Sequence, residues 1–321
     1  MDLLLISVFI LAAIVAGLKI YTKLTLRTCK SQVCLVGKTA IVTGANCGII
    51  GYETALDFAK RGAKVILACR NISKAQEARR KIIEETHNHK IFVRVIDLAS
   101  FESVRAFAEE INKTEDRLDI LVNNAGAVGL EHKRTVDGRP LLMQVNYFSS
   151  FLLTNLLLNL LKKSGPSRIV NVSSLGASMG SKLDVNNIDN FVPRFNDDYY
   201  HSKLCNVLFT IELAKKLQGT SVTTYSLHPG FVETEIFHNF HGIMKVLFMI
   251  IVKLFSMTCE EGAQTNIYCS VTQGIEKYSG EHFDHCRKVD RYKNATDPDL
   301  AKNLWKKSEE LVGLTPEENP F

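Results

Sequence analysis

The sequence has few of the residues that mark extended, disordered or cross-linked proteins. It holds only 7 prolines and 19 glycines in 321 residues, and no segment is repeated or of low complexity. Collagen-like and disordered chains are therefore excluded. The eight cysteines form no CxxC pair and no metal-ligand spacing with histidine, so we expect reduced thiols in a reducing compartment and no bound metal.

A strong excess of charge is also missing. The chain has 39 Lys and Arg against 34 Asp and Glu, a formal net charge of +5, and the basic residues are spread along it. Nucleic-acid-binding proteins concentrate basic residues in a patch or stripe. Nucleic acid is therefore not an expected partner, and the 46% of apolar residues are instead sufficient for a globular core.

One long apolar run lies near the N-terminus. Leu3 to Leu18 is a run of 16 residues without a charged side chain, and a helix of 16–19 residues spans roughly 24–28 Å, close to the thickness of a bilayer core. Only Asp2 precedes the run, whereas a cleaved signal peptide carries positive charge there. The basic residues follow it, at Lys19, Lys23, Arg27 and Lys30.

This charge pattern predicts how the chain meets a membrane. We expect a transmembrane anchor at residues 1–22 and a basic stem at residues 23–36, and the positive-inside rule leaves the rest of the chain in the cytosol. An interfacial or cleaved segment is the alternative.

From residue 37 onward, short β-branched runs alternate with helical patterns. Several runs are apolar throughout, which is typical of strands buried on both faces of a parallel sheet. The strand candidates are Thr39–Thr43, Lys64–Ala68, Ile91–Ile96, Ile120–Val122, Arg168–Val172 and Val222–Ser226. The helix candidates are Lys74–Thr86, Ser103–Asn112, Leu141–Leu161 and Ser202–Leu217. Alternation of this kind predicts one α/β domain over residues 37–321, with a doubly wound parallel sheet and helices on both faces.

A glycine-rich segment joins the first strand to the first helix. It runs from Thr43 to Gly51 with the sequence TGANCGIIG. Glycines in such a turn let the backbone approach a pyrophosphate, which the N-terminus of the next helix attracts. The segment therefore predicts a dinucleotide site.

Four motifs, in this order along the chain, resemble the short-chain dehydrogenase/reductase superfamily. They are the glycine-rich segment Thr43–Gly51, NNAG at 123–126, Tyr199-x-x-x-Lys203, and HPG at 228–230. The resemblance covers about residues 37–290 and implies a Rossmann-fold oxidoreductase that uses a nicotinamide dinucleotide.

The glycine-rich segment departs from the family pattern at one point. The family has Gly-x-Gly where this chain has Gly48-Ile49-Ile50-Gly51, one residue longer. Three interpretations are open at this point. The extra isoleucine shifts Gly51 out of register and weakens cofactor binding, it is absorbed as a bulge at the start of the helix, or it reflects a sequence error.

The choice between NAD and NADP depends on the end of the second strand. An acidic residue about 20 positions beyond the glycines would bind the ribose 2′-hydroxyl of NAD, whereas Arg70 stands 19 positions beyond Gly51. A guanidinium suits the 2′-phosphate, so we expect NADP (NADPH); a solvated arginine without this role is the alternative. The resemblance implies further cofactor contacts at Gly44, Asn46, Gly48, Ile49, Gly51, Asp97, Leu98, Asn124, Ala125, Gly126, Tyr199, Lys203, Pro229, Gly230, Val232 and Thr234.

Tyr199 and Lys203 are the expected centre of catalysis. They are four residues apart, so on a helix both side chains leave the same face, and a nearby ammonium lowers the pKa of a phenol. The resemblance implies Tyr199 as the general acid/base, with Lys203 also holding the nicotinamide ribose. It implies Ser174 as the hydroxyl that binds the substrate oxygen, and Asn146 as part of a water-linked proton relay. His228 is expected to be structural.

The retinol dehydrogenase branch of the superfamily is the one that the chain most resembles. The residues that carry this similarity are Val170–Ser174, Tyr199–Leu204 and Val222–Gly230. Members of this branch are microsomal, NADP-linked and act on retinoids and other lipophilic carbonyls. The resemblance therefore implies interconversion of a lipophilic alcohol with its aldehyde or ketone, reductive in cells because cytosolic NADP is mostly reduced. It also implies a single-pass protein of the endoplasmic reticulum membrane whose catalytic domain faces the cytosol.

Two alternatives remain at the level of the sequence. The apolar residues 237–258 are expected to form a substrate lid or membrane contact, but a buried or oligomer-forming helix would show the same composition, so a homo-oligomer stays open. The competing hypothesis for function is a folded but inactive binding or scaffold protein, disabled by the extra isoleucine.

Overall fold

The computed structural model describes residues 26–192, 194, 196–232 and 256–321, together with Gly17. The anchor expected at residues 1–22, apart from Gly17, lies outside these residues, as do the first three residues of the expected stem. Residues 237–255 of the expected lid also lie outside them.

A single eight-stranded sheet organises the domain, in the order β3-β2-β1-β4-β5-β6-β7-β8. The strands are β1 (Thr39–Thr43), β2 (Lys64–Cys69), β3 (Ile91–Val95), β4 (Ile120–Asn123), β5 (Ser167–Val172), β6 (Val222–His228), β7 (His282–Asp284) and β8 (Arg287–Val289). The strand order changes direction between β1 and β4. In sheets of this kind, ligands bind beyond the carboxyl ends of the strands near that point.

Helices cover both faces of the sheet. They are α1 (Ile50–Lys60), α2 (Ile72–Thr86), α3 (Phe101–Thr114), α4 (Leu141–Ser164), α5 (Asp197–Lys216), α6 (Cys259–Val271) and α7 (Pro298–Val312). Helix α4 contains a π-helical turn at Gln144–Phe148. Short 3₁₀ turns lie at Leu175–Ser178, Val185–Asn187, Glu276–Tyr278 and Lys293–Ala295.

The strand residues alternate between two apolar layers. In β1, Ile41 packs into a cluster with α3, α4, α5 and α7, whereas Ala40 and Val42 pack into a second cluster with α1, α2 and α6. The first layer contains an edge-to-face contact between Phe151 and Trp305, whose ring centroids are 4.9 Å apart. Each fully buried large apolar side chain contributes about 1.5–3 kcal/mol to the stability of the fold. The two layers therefore stabilise the sheet from both faces.

Side-chain caps define where several helices begin. The Asn71 side chain accepts a hydrogen bond from the backbone N–H of Lys74 at the start of α2, and Ser100 accepts one from Ser103 at the start of α3. Thr258 and Glu261 form a reciprocal capping box at the start of α6. Each such cap is worth about 1 kcal/mol.

The predicted α/β architecture is confirmed, with one correction to the sheet. The seven strands β1–β7 are parallel to their neighbours, but β8 runs antiparallel to β7, so the sheet is mostly rather than wholly parallel. The sequence did not indicate β7 or β8, because each has only three residues. Within the described residues, α4 is long and apolar enough to cross a membrane, but 83% of its most apolar window is buried, as expected for a core helix.

Candidate active site

The glycine-rich segment forms a tight turn over the carboxyl end of β1. Gly44 has φ +65°, and a Cβ built on it would lie 3.0 Å from the Cα of Ala125. Gly48 has φ +76° and open space beside it. Helix α1 begins at Ile50 without a side-chain cap. The first N–H groups of an uncapped helix are donors for an anion, so this turn can hold a phosphate.

Gly51 keeps the close contact that the last glycine of such a segment needs. A Cβ on Gly51 would lie 2.3 Å from the carbonyl oxygen of Gly44 and 2.5 Å from Nδ2 of Asn124. The extra residue is taken up just before this contact, where Ile49 is extended (φ −136°, ψ 165°) and Ile50 opens the helix. The structure therefore favours absorption of the extra residue at the helix start, with Gly51 lying against the Gly44 backbone.

The end of β4 is tied to the same turn. Oγ1 of Thr43 accepts hydrogen bonds from the backbone N–H groups of Asn124 and Ala125, both at 2.9 Å. The side-chain amide of Asn124 donates to the carbonyl of Thr43 at 2.9 Å, and Asn266 on α6 donates to Oδ1 of Asn124 at 3.3 Å. These bonds give the glycine turn a rigid floor. Asn266 and the Thr43 hydroxyl were not predicted, because their partners are far away in sequence.

The next two strands provide the other expected cofactor residues. Arg70 is exposed directly after β2, beside the strand that leads into the glycine turn. After β3, Oδ1 of Asp97 accepts from the N–H of Ala99 at 3.0 Å, and the carbonyl of Leu98 accepts from Ser149. Arg70 and Asp97 thus lie at the carboxyl edge of the sheet, where the sequence places them.

Tyr199 and Lys203 occupy the first two turns of α5. The Nζ of Lys203 donates to the carbonyl of Val172, at the end of β5, at 3.1 Å and lies 5.9 Å from the centroid of the Tyr199 ring. Burial lowers the pKa of Lys203 to about 8. Its ammonium is therefore charged near neutral pH but loses its proton under mildly alkaline conditions.

The pKa of Tyr199 moves opposite to the expected direction. Burial raises it, a side-chain hydrogen bond with Ser174 lowers it, and the neighbouring Tyr200 raises it; burial is the largest effect. The expectation that Lys203 brings this pKa below its ordinary value is therefore wrong for this structure. The phenol stays protonated near neutral pH, and a protonated phenol is a proton donor.

The two serines after β5 have different surroundings. Ser174 accepts a hydrogen bond from the N–H of Gly176 at 3.1 Å, and its hydroxyl lowers the pKa of Tyr199. Ser173 is buried, and its hydroxyl donates to the carbonyl of Lys203 at 2.7 Å. Ser174 is thus the serine beside the phenol, and Ser173 is its structural neighbour.

Asn146 lies in the π-helical turn of α4, a distortion that is frequent at functional sites. Its Oδ1 accepts from the N–H of Ala127 at 2.7 Å, and its Nδ2 donates to the carbonyl of Ala127 at 2.9 Å and to Oγ of Ser202 at 3.0 Å. A Cβ on Gly126 would lie 2.9 Å from Nζ of Lys203 and 3.5 Å from Oδ1 of Asn146. The Asn146 side chain, Gly126 and the Lys203 ammonium therefore lie together beside α5.

The Pro229-Gly230 segment follows β6 at the same edge. Gly230 has φ +92°, and a Cβ on it would lie 2.3 Å from the sulfur of Met257. Val232 forms a parallel bridge with Met257, so the chain returns to this loop before α6. Thr234, the last expected cofactor residue, lies outside the described residues.

The site fits a nicotinamide dinucleotide. Oδ1 of Asn46, inside the glycine turn, is buried without a hydrogen-bond partner among the described residues, and the N-terminus of α1 is uncapped. The short chain dehydrogenase family profile matches residues 38–242. The chain belongs to the short-chain dehydrogenase/reductase superfamily. Enzymes of this superfamily are oxidoreductases that use NAD(P).

Retinol dehydrogenases are among the similar members of the superfamily. The chain is 46% identical to mouse retinol dehydrogenase 11 over 299 residues, which cover 92% of this chain and 93% of that protein. It is 42% identical to human retinol dehydrogenase 12, with 89% and 90% covered, and 41% identical to human retinol dehydrogenase 13, with 94% and 92% covered. The chain is therefore a retinol dehydrogenase-like oxidoreductase.

Solved structures share this fold. A protein from Mycobacterium paratuberculosis aligns with a TM-score of 0.71 at 29% identity, covering 90% of this chain and 98% of that one. A Shigella flexneri short chain dehydrogenase complexed with NADP aligns with a TM-score of 0.63 at 25% identity, covering 80% and 100%.

Proposed function

We propose that this superfamily member is an NADP(H)-dependent enzyme that reduces a lipophilic aldehyde or ketone, of the retinal type, to its alcohol and can run the reverse reaction. The observation that carries the proposal is the arrangement at the start of α5, where the Tyr199 ring lies 5.9 Å from Nζ of Lys203 and against the turn that carries Ser174. Burial raises the pKa of this phenol, so it keeps its proton near neutral pH. A proton donor at this place suits reduction of a carbonyl. The retinol dehydrogenases at 41–46% identity support the substrate class.

The chain's own residues supply the proton and hold the carbonyl. Tyr199 donates its phenolic proton to the carbonyl oxygen, and the Ser174 hydroxyl binds the same oxygen. The Lys203 ammonium, charged below about pH 8, stabilises the phenolate that remains. Asn146 positions α5 through its bond with Ser202. NADPH, when bound, supplies the hydride.

The same residues that form the glycine turn would hold the cofactor. The N-terminus of α1 with Gly48 and Ile49 would bind the pyrophosphate, and Lys203 the nicotinamide ribose. Arg70 would bind the 2′-phosphate that distinguishes NADP from NAD, since an exposed guanidinium is a bidentate partner for phosphate.

We also propose that the chain is attached to a membrane. In this proposal, residues 1–22 anchor the chain in the endoplasmic reticulum membrane with the catalytic domain in the cytosol, and residues 237–258 serve as a substrate lid or membrane contact. The apolar run at Leu3 to Leu18 and the basic residues after it support this arrangement. A substrate that dissolves in the bilayer would then reach the enzyme without crossing water.

The experiment that tests the proposal is a panel of carbonyls supplied to membranes containing the full-length chain. Retinal, a steroid ketone, farnesal and a fatty aldehyde are each incubated with NADPH or NADH, with membranes lacking the chain as the control. We expect reduction with NADPH of at least one carbonyl in the panel. Absence of NADPH-dependent reduction for all four would contradict the proposal.

The competing hypothesis, a folded protein that does not bind the cofactor, makes a different prediction. It rests on the extra isoleucine, but Gly51 keeps its contact with Gly44 and the turn stays compact. Titration of the full-length chain with NADPH, followed by energy transfer from Trp305 or by calorimetry, separates the two. Saturable binding supports the enzyme, whereas no binding under any condition supports the scaffold.

A further inference from the structure

His228 is the last residue of β6 and lies one residue beyond the pairing of β6 with β5. The last residue pair of β5 and β6 joins Val172 to Leu227, so His228 faces the turn that follows β5. Its Nδ1 accepts a hydrogen bond from the backbone N–H of Leu175 at 3.2 Å. A ring nitrogen that accepts from an N–H must be unprotonated, so His228 is neutral, with its proton on Nε2.

The turn that His228 holds is the one that carries Ser174. Leu175 directly follows Ser174, and Oγ of Ser174 accepts from the N–H of Gly176 at 3.1 Å. A Cβ on Gly176 would lie 3.1 Å from Cε1 of the Tyr199 ring, so the turn lies directly against the phenol. Any shift of the Leu175 backbone would therefore change the position of Ser174 relative to Tyr199.

The surroundings of His228 keep the imidazole neutral. Burial lowers its pKa, Asp284 on the adjacent β7 raises it, and His285 lowers it; burial is the largest effect. His282, also on β7, is buried between Ser226 and Tyr292, which lie 2.9 and 3.1 Å from its ring nitrogens, and its pKa falls to about 4. His228 accordingly loses its role as an acceptor only in acid.

We propose that His228 is a positioning residue, whose neutral imidazole fixes the Ser174–Leu175 turn against Tyr199 so that both hydroxyl groups reach the same carbonyl oxygen. The inference rests on the proposed function, which gives Ser174 and Tyr199 their roles. It goes beyond a purely structural histidine, because it predicts an effect on turnover rather than on folding alone.

Two substitutions and one control test it in the full-length chain in membranes, with the carbonyl that the panel identifies. His228→Ala removes the acceptor and should lower kcat by about 10- to 100-fold, the loss that a misplacement of about 1 Å causes, while the Kd for NADPH changes little. His228→Asn keeps an acceptor oxygen in the place of Nδ1 and should recover most of kcat. His89→Asn makes the same change at an exposed histidine between α2 and β3 and should leave kcat unchanged.

The pH profile gives a second readout that a structural role would not change. The parent should lose kcat in acid as His228 gains a proton at Nδ1, and His228→Asn should lose this dependence because an amide does not titrate. Should His228→Ala fail to fold, as judged by thermal unfolding, the profile of His228→Asn decides alone. An acid limb that is the same in His228→Asn and the parent would overturn the inference, as would a His228→Ala variant with parental kcat.

The proposed function is tested separately in the same assay. Tyr199→Phe is measured beside the His228 variants. If Tyr199→Phe is inactive while His228→Ala equals the parent, only the inference about His228 is wrong. If Tyr199→Phe turns over at the parental rate, the assignment of the proton donor is wrong, whatever the His228 variants do.

Discussion

Burial acts on Tyr199 and Lys203 in the same physical way. It disfavours the charged form of each group, so the phenol keeps its proton and the pKa of the ammonium falls to about 8. Near neutral pH the site therefore holds a neutral acid beside a buried cation. Electrostatic interactions in such surroundings are stronger than in water. The Lys203 charge therefore acts strongly on nearby groups, but its burial lowers the stability of the fold.

The cost of the Lys203 charge predicts that its removal stabilises the fold. The pKa of Lys203 is lower in the folded than in the unfolded chain, so the charge destabilises the folded state below about pH 8, and this penalty disappears as the pH rises toward the ordinary lysine value. Lys203→Met should raise the free energy of unfolding near neutral pH by about 1–3 kcal/mol and abolish turnover. Urea unfolding of both proteins across this pH range measures the difference. A variant less stable than the parent near neutral pH would contradict the account.

We propose that cofactor preference also depends on a single residue, Arg70. Arg70→Asp replaces a guanidinium that would pair with the 2′-phosphate by a carboxylate that repels it. The ratio of kcat/KM for NADPH to that for NADH should fall by about 10- to 100-fold. Arg287→Asp makes the same charge change on the exposed β8, at the opposite edge of the sheet, and should leave the ratio unchanged. Equal ratios in the parent and Arg70→Asp would reject Arg70 as the selector.

The sequence could predict residues whose relation is local. Tyr199 and Lys203 share a face because they are one helical turn apart, and Ser174 follows a strand end that the pattern located. The direction of the Tyr199 pKa shift could not be predicted, because it depends on burial by segments distant in sequence. The hydrogen bond between His228 and Leu175 could not be predicted either, because it joins the end of β6 to the turn after β5.

At the scale of elements, the glycine turn and α1 act as one unit. Gly51 lies where α1 meets the backbone of Gly44, so its contact sets the direction in which the helix N-terminus points. The extra residue lies in the turn before this contact, where Ile49 is extended, and the contact of Gly51 with Gly44 is present.

This geometry predicts that Gly51→Ala damages the cofactor site. Its methyl group would lie within 2.5 Å of two atoms, the Gly44 oxygen and the Asn124 amide, so the helix must shift, at about 1–3 kcal/mol of stability, and the Kd for NADPH should rise. Gly219→Ala is the control, because Gly219 has φ +81° and open space in a turn after α5. It should lose about 1–2 kcal/mol of stability from backbone strain alone and bind NADPH normally. Normal NADPH affinity in Gly51→Ala would show that the contact is not needed.

Elements with strong periodicity were predictable, whereas the three-residue strands and the first residue of α5 were not. Strands β1–β6 emerged from continuous apolar runs, but β7 and β8 have three residues each and exist through pairing, β7 with β6 and β8 with β7. Helix α5 begins at Asp197, five residues before the predicted Ser202. The two acidic residues Asp197 and Asp198 favour that earlier start, since carboxylates stabilise a helix N-terminus.

At the scale of the whole molecule, the described surface offers a test of membrane orientation. Four Asn-x-Ser/Thr sequons occur, at Asn71, Asn112, Asn171 and Asn294. Asn71 and Asn112 are exposed, whereas Asn171 is fully buried in the sheet. Exposed sequons in the lumen of the endoplasmic reticulum are acceptors for glycans.

We predict that the chain carries no N-linked glycan in cells, because the proposed orientation places the domain in the cytosol. Glycosidase treatment should leave its electrophoretic mobility unchanged. A sequon added on a short extension before Met1 serves as the control and should be glycosylated, since that end would face the lumen. A mobility shift of the parent that Asn71→Gln or Asn112→Gln removes would place the domain in the lumen.

The central claim is that Tyr199 supplies the proton for an NADPH-dependent reduction. The measurement that tests it most directly compares the parent with Tyr199→Phe, full-length and in membranes, for NADPH affinity and for turnover of the carbonyl that the panel identifies. The account predicts a Kd for NADPH within about twofold of the parent and a turnover lower by at least about 100-fold, the usual share of a general acid. Turnover at the parental rate in Tyr199→Phe would contradict it.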